Sequence, residues 1–146
     1  MLNIFKQKFY QRINNNTYNS INLSKIIGLS SEISLEITNG NIIEIGASSG
    51  EGSTEAILMG CIKNMEKFKT NKLNVYSLEV CTERFNKLKD RYKSVPFFTP
   101  LNMSSISIDE FPSKEVVSSC YNSARTSLNQ YPLDMVLSWY DKDKEY

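Results

Sequence analysis

The sequence predicts an α/β fold, a parallel sheet with flanking helices, and three observations carry that expectation. Short apolar runs, the first two rich in β-branched residues, recur over 41–47, 73–80 and 97–103. Segments whose apolar residues return every three or four positions separate these runs. The first run also passes directly through a glycine-rich turn into such a segment. Alternation of this kind builds βαβ units, whose crossovers are right-handed in nearly all cases.

In chain order, 2–13 places Phe5, Phe9 and Ile13 at four-residue intervals, as an amphipathic helix would, before the run Asn14-Asn15-Asn16 ends it. Over 22–37, Leu23, Ile26, Ile27, Leu29, Ile33, Leu35 and Ile37 begin at helical spacing, and Thr38-Asn39-Gly40 supplies the stop. The run NIIEIGA at 41–47 reads as a fully buried parallel strand. From Ser53, the residues Ala56, Ile57, Cys61, Ile62 and Met65 share one helix face. A second strand follows over 73–80, and a helix over 83–93 turns Phe85, Leu88 and Tyr92 inward and Lys87, Lys89 and Asp90 outward. In the third run, 97–103, Pro100 confines the strand to a sheet edge or a strand end. Beyond Asp109 the alternation lapses into two helices: 113–121, with Ser113 as N-cap and Glu115 in its first turn, and a last one opened by Pro132. That last helix places Leu133, Val136, Leu137 and Tyr140 on one face and closes in the charged run 141–145. Trp139 and Tyr140 read as core residues of this helix.

Composition narrows the chemistry. At 146 residues the chain is about one domain long. Its 17 basic and 16 acidic residues leave a net charge of +1, which gives no reason to expect nucleic acid or an anionic membrane as partner. No apolar stretch approaches the roughly 18 residues of a membrane span, and 1–10 lacks the apolar region of a secretory signal. Three unpatterned cysteines, Cys61, Cys81 and Cys120, support neither a disulfide framework nor a metal site, so a cytoplasmic setting is the expectation. Cys61 and Cys81 read as packed thiols. Histidine is absent, which excludes Ser-His-Asp and Cys-His catalysis and HExxH zinc sites.

The chemistry that remains gathers at Glu44-Ile45-Gly46-Ala47-Ser48-Ser49-Gly50-Glu51-Gly52-Ser53, where a strand turns into a helix. Glycines there allow positive φ and close backbone approach, and a helix N-terminus offers oriented N–H donors, so the turn is a candidate small-molecule cradle. It is no Walker loop, because no Gly-Lys-Ser/Thr follows, and it misses GxGxxG, because Ser48 stands at the second glycine position. Glu79, thirty-five residues beyond Glu44, closes the second strand, where a carboxylate can accept two hydrogen bonds from ribose hydroxyls.

With Glu44, Gly46, Ser48 and Gly50 in register, the turn resembles the first motif of the class I S-adenosylmethionine-dependent methyltransferases, E/D-x-G-x-G-x-G. The resemblance implies a Rossmann-like sheet and S-adenosyl-L-methionine as cofactor. It implies that Glu44 orders the loop or positions the charged part of the cofactor, and that the turn, with Gly46, Ala47, Ser48, Ser49, Gly50 and Gly52, passes under the methionine and ribose. It gives Glu79 the ribose hydroxyls, and Asn102, at the end of the third strand, the adenine amine. Asn102 is equally good turn chemistry. Ser48 departs from the motif's middle glycine but is small.

The likeness covers about 41–103, the first three strands of a seven-stranded fold. The chain then divides into a helical segment at 1–40 and a partial methyltransferase-like domain at 41–146. Catalytic residues and the methyl acceptor are not named by any residue here. A sheet stopped at three strands leaves 41–47 as an open apolar edge, able to self-associate or to pair with a second polypeptide. Two other readings stay open: an NAD- or nucleotide-sugar-binding domain, and a non-catalytic remnant or interaction module.

Overall fold

A computed structural model describes residues 7, 9–11, 23–36 and 39–145. Its contacts divide the chain into two compact units, Met1–Met103 and Ser104–Tyr146. Of the helix expected over 2–13, Gln7, Phe9, Tyr10 and Gln11 are helical, and the rest lies outside the described residues.

The first unit runs α1 (Leu23–Glu36), β1 (Gly40–Ile45), α2 (Ser53–Lys67), β2 (Leu73–Leu78), α3 (Thr82–Tyr92) and β3 (Phe98–Leu101). The three strands form one parallel sheet in the order β1-β2-β3. Gly40 stands opposite Leu73 and Ile45 opposite Leu78, while Val75 stands opposite Phe98. The fold class is therefore α/β, as the alternation in the sequence requires. Among the described residues β1 is an edge strand, and so is β3, which is where Pro100 can be accommodated without breaking a ladder.

Sequential strand order with right-handed crossovers puts α2 and α3 on the same face of the sheet. The core lies there: Ile57, Leu58 and Cys61 of α2 and Leu88 and Tyr92 of α3 pack with Leu73, Val75 and Phe98 of the strands. Burying a side chain such as Leu58 or Leu88 contributes about 1.5–3 kcal/mol. Helix α1 lies on the far side of α2, with Ile26 against Ala56 and Met59 and with the Asn64 amide donating to the Ile33 carbonyl at 2.9 Å. Enclosed between α1 and the sheet, α2 is buried almost all round, from Thr54 to Ile62.

The expectation of a fully buried first strand needs correction. Ile43 and Ile45 are both 67 % exposed, whereas Glu44 between them is buried. Both crossover helices cover the Glu44 side, so β1 is buried on one face and open on the other. The same one-sidedness appears in α1, where Ile26 and Ile33 are buried but Ile27 and Leu35 are exposed.

The second unit holds α4 (Lys114–Ser123) and α5 (Leu133–Lys144), joined by a 3-10 turn at Ser127–Gln130 and preceded by another at Ile108–Glu110. Ser113 caps α4 by accepting from the Val116 N–H at 3.4 Å, as its position before the apolar run requires. The Tyr121 hydroxyl donates to the Tyr131 carbonyl, and the Asn129 amide donates back to the Tyr121 carbonyl, both at 2.7 Å. Lys114 and Asp141 pair at 2.7 Å across the two helices. Of the face expected on α5, Val136 is buried and Leu133, Leu137 and Tyr140 are half-buried; Trp139 is exposed on the other side, edge-on to Tyr131. These helices flank an open apolar groove of about 220 Å³ walled by Val116, Val117, Cys120, Leu128 and Val136 among others.

Candidate functional site: the β1–α2 turn

Two carboxylates at the ends of adjacent strands organise the first unit's strand-end region. Glu44 stands opposite Ser77 in the β1–β2 register, on the face covered by α2. Its Oε2 accepts from the hydroxyls of Thr54 and Ser77, each at 2.7 Å, and its Oε1 accepts from the Ser53 hydroxyl at 2.6 Å. One buried carboxylate thus joins β1, β2 and the first turn of α2. A negative charge beside a helix N-terminus is favourable, and three hydroxyl donors offset its desolvation. Through these bonds Glu44 ties the end of β1 to β2 and to the first turn of α2.

Between those ends the backbone is strongly bent. Gly46, Gly50 and Gly52 take φ of 78°, 82° and 83°, and Ser48 takes 52°. The N–H groups of Gly46 and Ala47 both donate to the Leu78 carbonyl at 3.0 Å, which continues the β1–β2 ladder into the turn. The Gly50 N–H closes onto the Ala47 carbonyl at 3.0 Å. Gly52 serves as N-cap of α2 and, being glycine, has no side chain to cap it with; the hydroxyls of Ser53 and Thr54 in the first turn are turned to Glu44.

The glycines at 46 and 50 are required for different reasons. A Cβ built at Gly50 would lie 2.5 Å from Tyr92 Cε2 and 2.6 Å from Leu88 Cδ1. At Gly46 a Cβ would meet nothing within 4 Å, so positive φ alone demands glycine and the space beside it is open. The open space beside the Gly46 backbone leaves room for the close approach of a small molecule.

Glu79 follows β2 and is only 4 % exposed. Its Oε2 accepts from the Ser48 N–H at 2.6 Å and its Oε1 from the Cys81 N–H at 3.0 Å. A carboxylate has about four lone-pair sites, so each oxygen keeps acceptor capacity for a further donor. Glu44, Gly46, Ala47, Ser48, Ser49, Gly50, Gly52 and Glu79 therefore belong to one structural cluster.

Asn102 joins that cluster in another capacity. Its amide nitrogen donates to the carbonyls of Glu79 and Val80, at 2.8 and 3.0 Å, and its Oδ1 accepts from the Thr82 hydroxyl at 3.2 Å. The side chain ties the end of β3 to the turn after β2, which is the turn chemistry its position also allowed.

Several supporting residues escape a reading of the sequence. Ser77 and Thr54 carry Glu44, Tyr92 donates its hydroxyl to the Gly50 carbonyl, and Arg91 pairs with Glu51 at 2.5 Å. A serine in the middle of an apolar strand was a visible signal for Ser77; nothing local marks Tyr92 or Arg91, which reach the turn from α3. Cys61 is fully buried, and burial pushes its thiol up to about 12. Among the described residues no cluster of side chains could hold a metal ion, and no helix is long and apolar enough to cross a membrane. Compared with known proteins, the chain matches no family model and no curated protein.

Proposed function

We propose that this chain is the cofactor-binding part of an S-adenosylmethionine-dependent methyltransferase. The observation that carries the reading is the joining of the motif turn to Glu79: the acidic-x-Gly-x-Ser-x-Gly sequence from Glu44 to Gly50 lies at the end of β1, and the Ser48 N–H rests on Glu79 at the end of β2. Ligands of open parallel sheets bind outside the carboxyl ends of the strands, and both groups are there.

In this reading the turn at Gly46 receives the methionine portion, whose approach a side chain at that position would obstruct. The free acceptor capacity of the Glu79 oxygens takes the ribose hydroxyls. Glu44 makes no ligand contact and keeps the two ends of the turn in place through Ser53, Thr54 and Ser77. Bound S-adenosylmethionine supplies an electrophilic methyl on a sulfonium leaving group, so the task left to the protein is orientation. Asn102 positions Glu79 by holding its carbonyl.

Isothermal titration of the folded chain with S-adenosylhomocysteine tests the proposal. Saturable binding that is lost in Gly46→Val supports it, and no heat at high micromolar ligand overturns it for this chain.

A further inference from the structure

Among the described residues, Ser48 alone combines a side chain with positive φ. An L-residue avoids that conformation because its Cβ crowds the following carbonyl oxygen, so something must favour it here. The two sides of the turn are held elsewhere: Gly46 and Ala47 by the Leu78 carbonyl, Gly50 by the Tyr92 hydroxyl. At the middle stands the Ser48 N–H, 2.6 Å from Glu79 Oε2, a short bond to a carboxylate and hence of the stronger kind. Glu79 is not free to follow a moving loop, because its second oxygen is fixed by the Cys81 N–H and its own carbonyl by Asn102.

We propose that Glu79 is a positioning residue for the turn: its carboxylate selects the left-handed conformation at Ser48 and thereby sets the path of the backbone from Gly46 to Gly50, in addition to any contact with ligand. This rests on the reading of the site as an S-adenosylmethionine cradle, and it explains why serine serves where the motif has glycine. Glycine needs no partner to adopt positive φ, whereas serine relies on the carboxylate. Ligand affinity therefore depends on Glu79 partly through the backbone at Ser48.

A mutant cycle separates this from a direct contact. Affinity for S-adenosylhomocysteine is measured for the full chain and for E79Q, then for S48G and the S48G/E79Q pair. With serine at position 48 the E79Q change costs about tenfold or more in affinity, the scale of one hydrogen bond to a charged group. In the S48G background the same change costs clearly less, by more than the roughly twofold scatter of independent sites. An equal loss in both backgrounds overturns the proposal and leaves Glu79 a ligand contact only. Amide hydrogen exchange of the ligand-free protein gives a second readout: E79Q speeds exchange over 46–52 by about tenfold while β2 and α2 stay protected. Unchanged exchange there overturns the positioning role even if the chain binds no S-adenosylhomocysteine, an outcome that would separately end the cofactor reading. If E79Q does not fold, E79D, which keeps the charge and withdraws it by one methylene, is put through the same cycle and judged by the same outcomes.

Discussion

The hydroxyl of Tyr92, at the end of α3, donates to the carbonyl of Gly50, and the Tyr92 ring fills the place a side chain at position 50 would need. The two residues lie forty-two positions apart, and the contact is buried. It fixes the distance between α3 and the β1–α2 turn, with the Arg91–Glu51 pair beside it on the surface.

Gly50→Ala forces a methyl group into the Tyr92 ring and a Cβ onto a backbone at φ 82°. Overpacking of this kind costs about 1–3 kcal/mol, so the urea midpoint should fall accordingly with an unchanged m value. Tyr92→Phe keeps the ring and removes the hydroxyl, at a cost of about 1 kcal/mol in the same measurement.

Ser77→Ala removes one of the three hydroxyls that hold the buried Glu44 carboxylate. The expected loss is about 1.5–3 kcal/mol, the range for a hydrogen bond to a charged group. Chemical denaturation checks it, and a loss below a few tenths of a kcal/mol would mean that Thr54 and Ser53 suffice.

Gly46→Val places a β-branched side chain at φ 78° in open space. Its stability cost is about 1–2 kcal/mol from backbone strain, since a Cβ there meets no neighbour within 4 Å. Affinity for S-adenosylhomocysteine should fall by more than about tenfold, which calorimetry resolves against the modest change in melting temperature.

Thiol titration with a disulfide reagent should find one fast-reacting cysteine in the native protein. Cys120 is exposed, whereas Cys61 and Cys81 are buried. Because burial raises the Cys61 thiol from 9.0 to about 12, the folded state holds that proton longer than the unfolded chain does. Its contribution is intact below pH 9.0 and is lost as pH rises toward about 12, so the melting temperature should drop across that window and Cys61→Ala should flatten the drop.

Ile43 and Ile45 leave an apolar stripe on an edge strand that carries no lysine, proline or bulge among its six residues to discourage pairing. The chain should therefore bind a hydrophobic dye and sediment as more than a monomer. The pair Ile43→Lys and Ile45→Lys should reduce both, and a wild-type protein that is monomeric and ignores the dye would show that this face is covered.

The alternation of apolar runs and helical patterns was sufficient to determine the α/β class, the order of the strands and helices, and the Ser113 cap, because these follow from local periodicity and from what one side chain can do for its own backbone. The placing of Glu44, Gly46, Ser48, Gly50 and Glu79 at one turn was legible for a similar reason: parallel strands joined by right-handed crossovers bring their carboxyl ends together. What each residue does there was decided by tertiary structure. Glu44 faces three hydroxyls because strand register sets Ser77 opposite it and α2 begins over it; Asn102 is spent on carbonyls because β3 ends beside the turn after β2. Which face of β1 is buried was likewise beyond the sequence. The run NIIEIGA is apolar on both sides, and only the placing of both crossover helices on one face of the sheet exposes Ile43 and Ile45 while burying Glu44, the one charged residue among them.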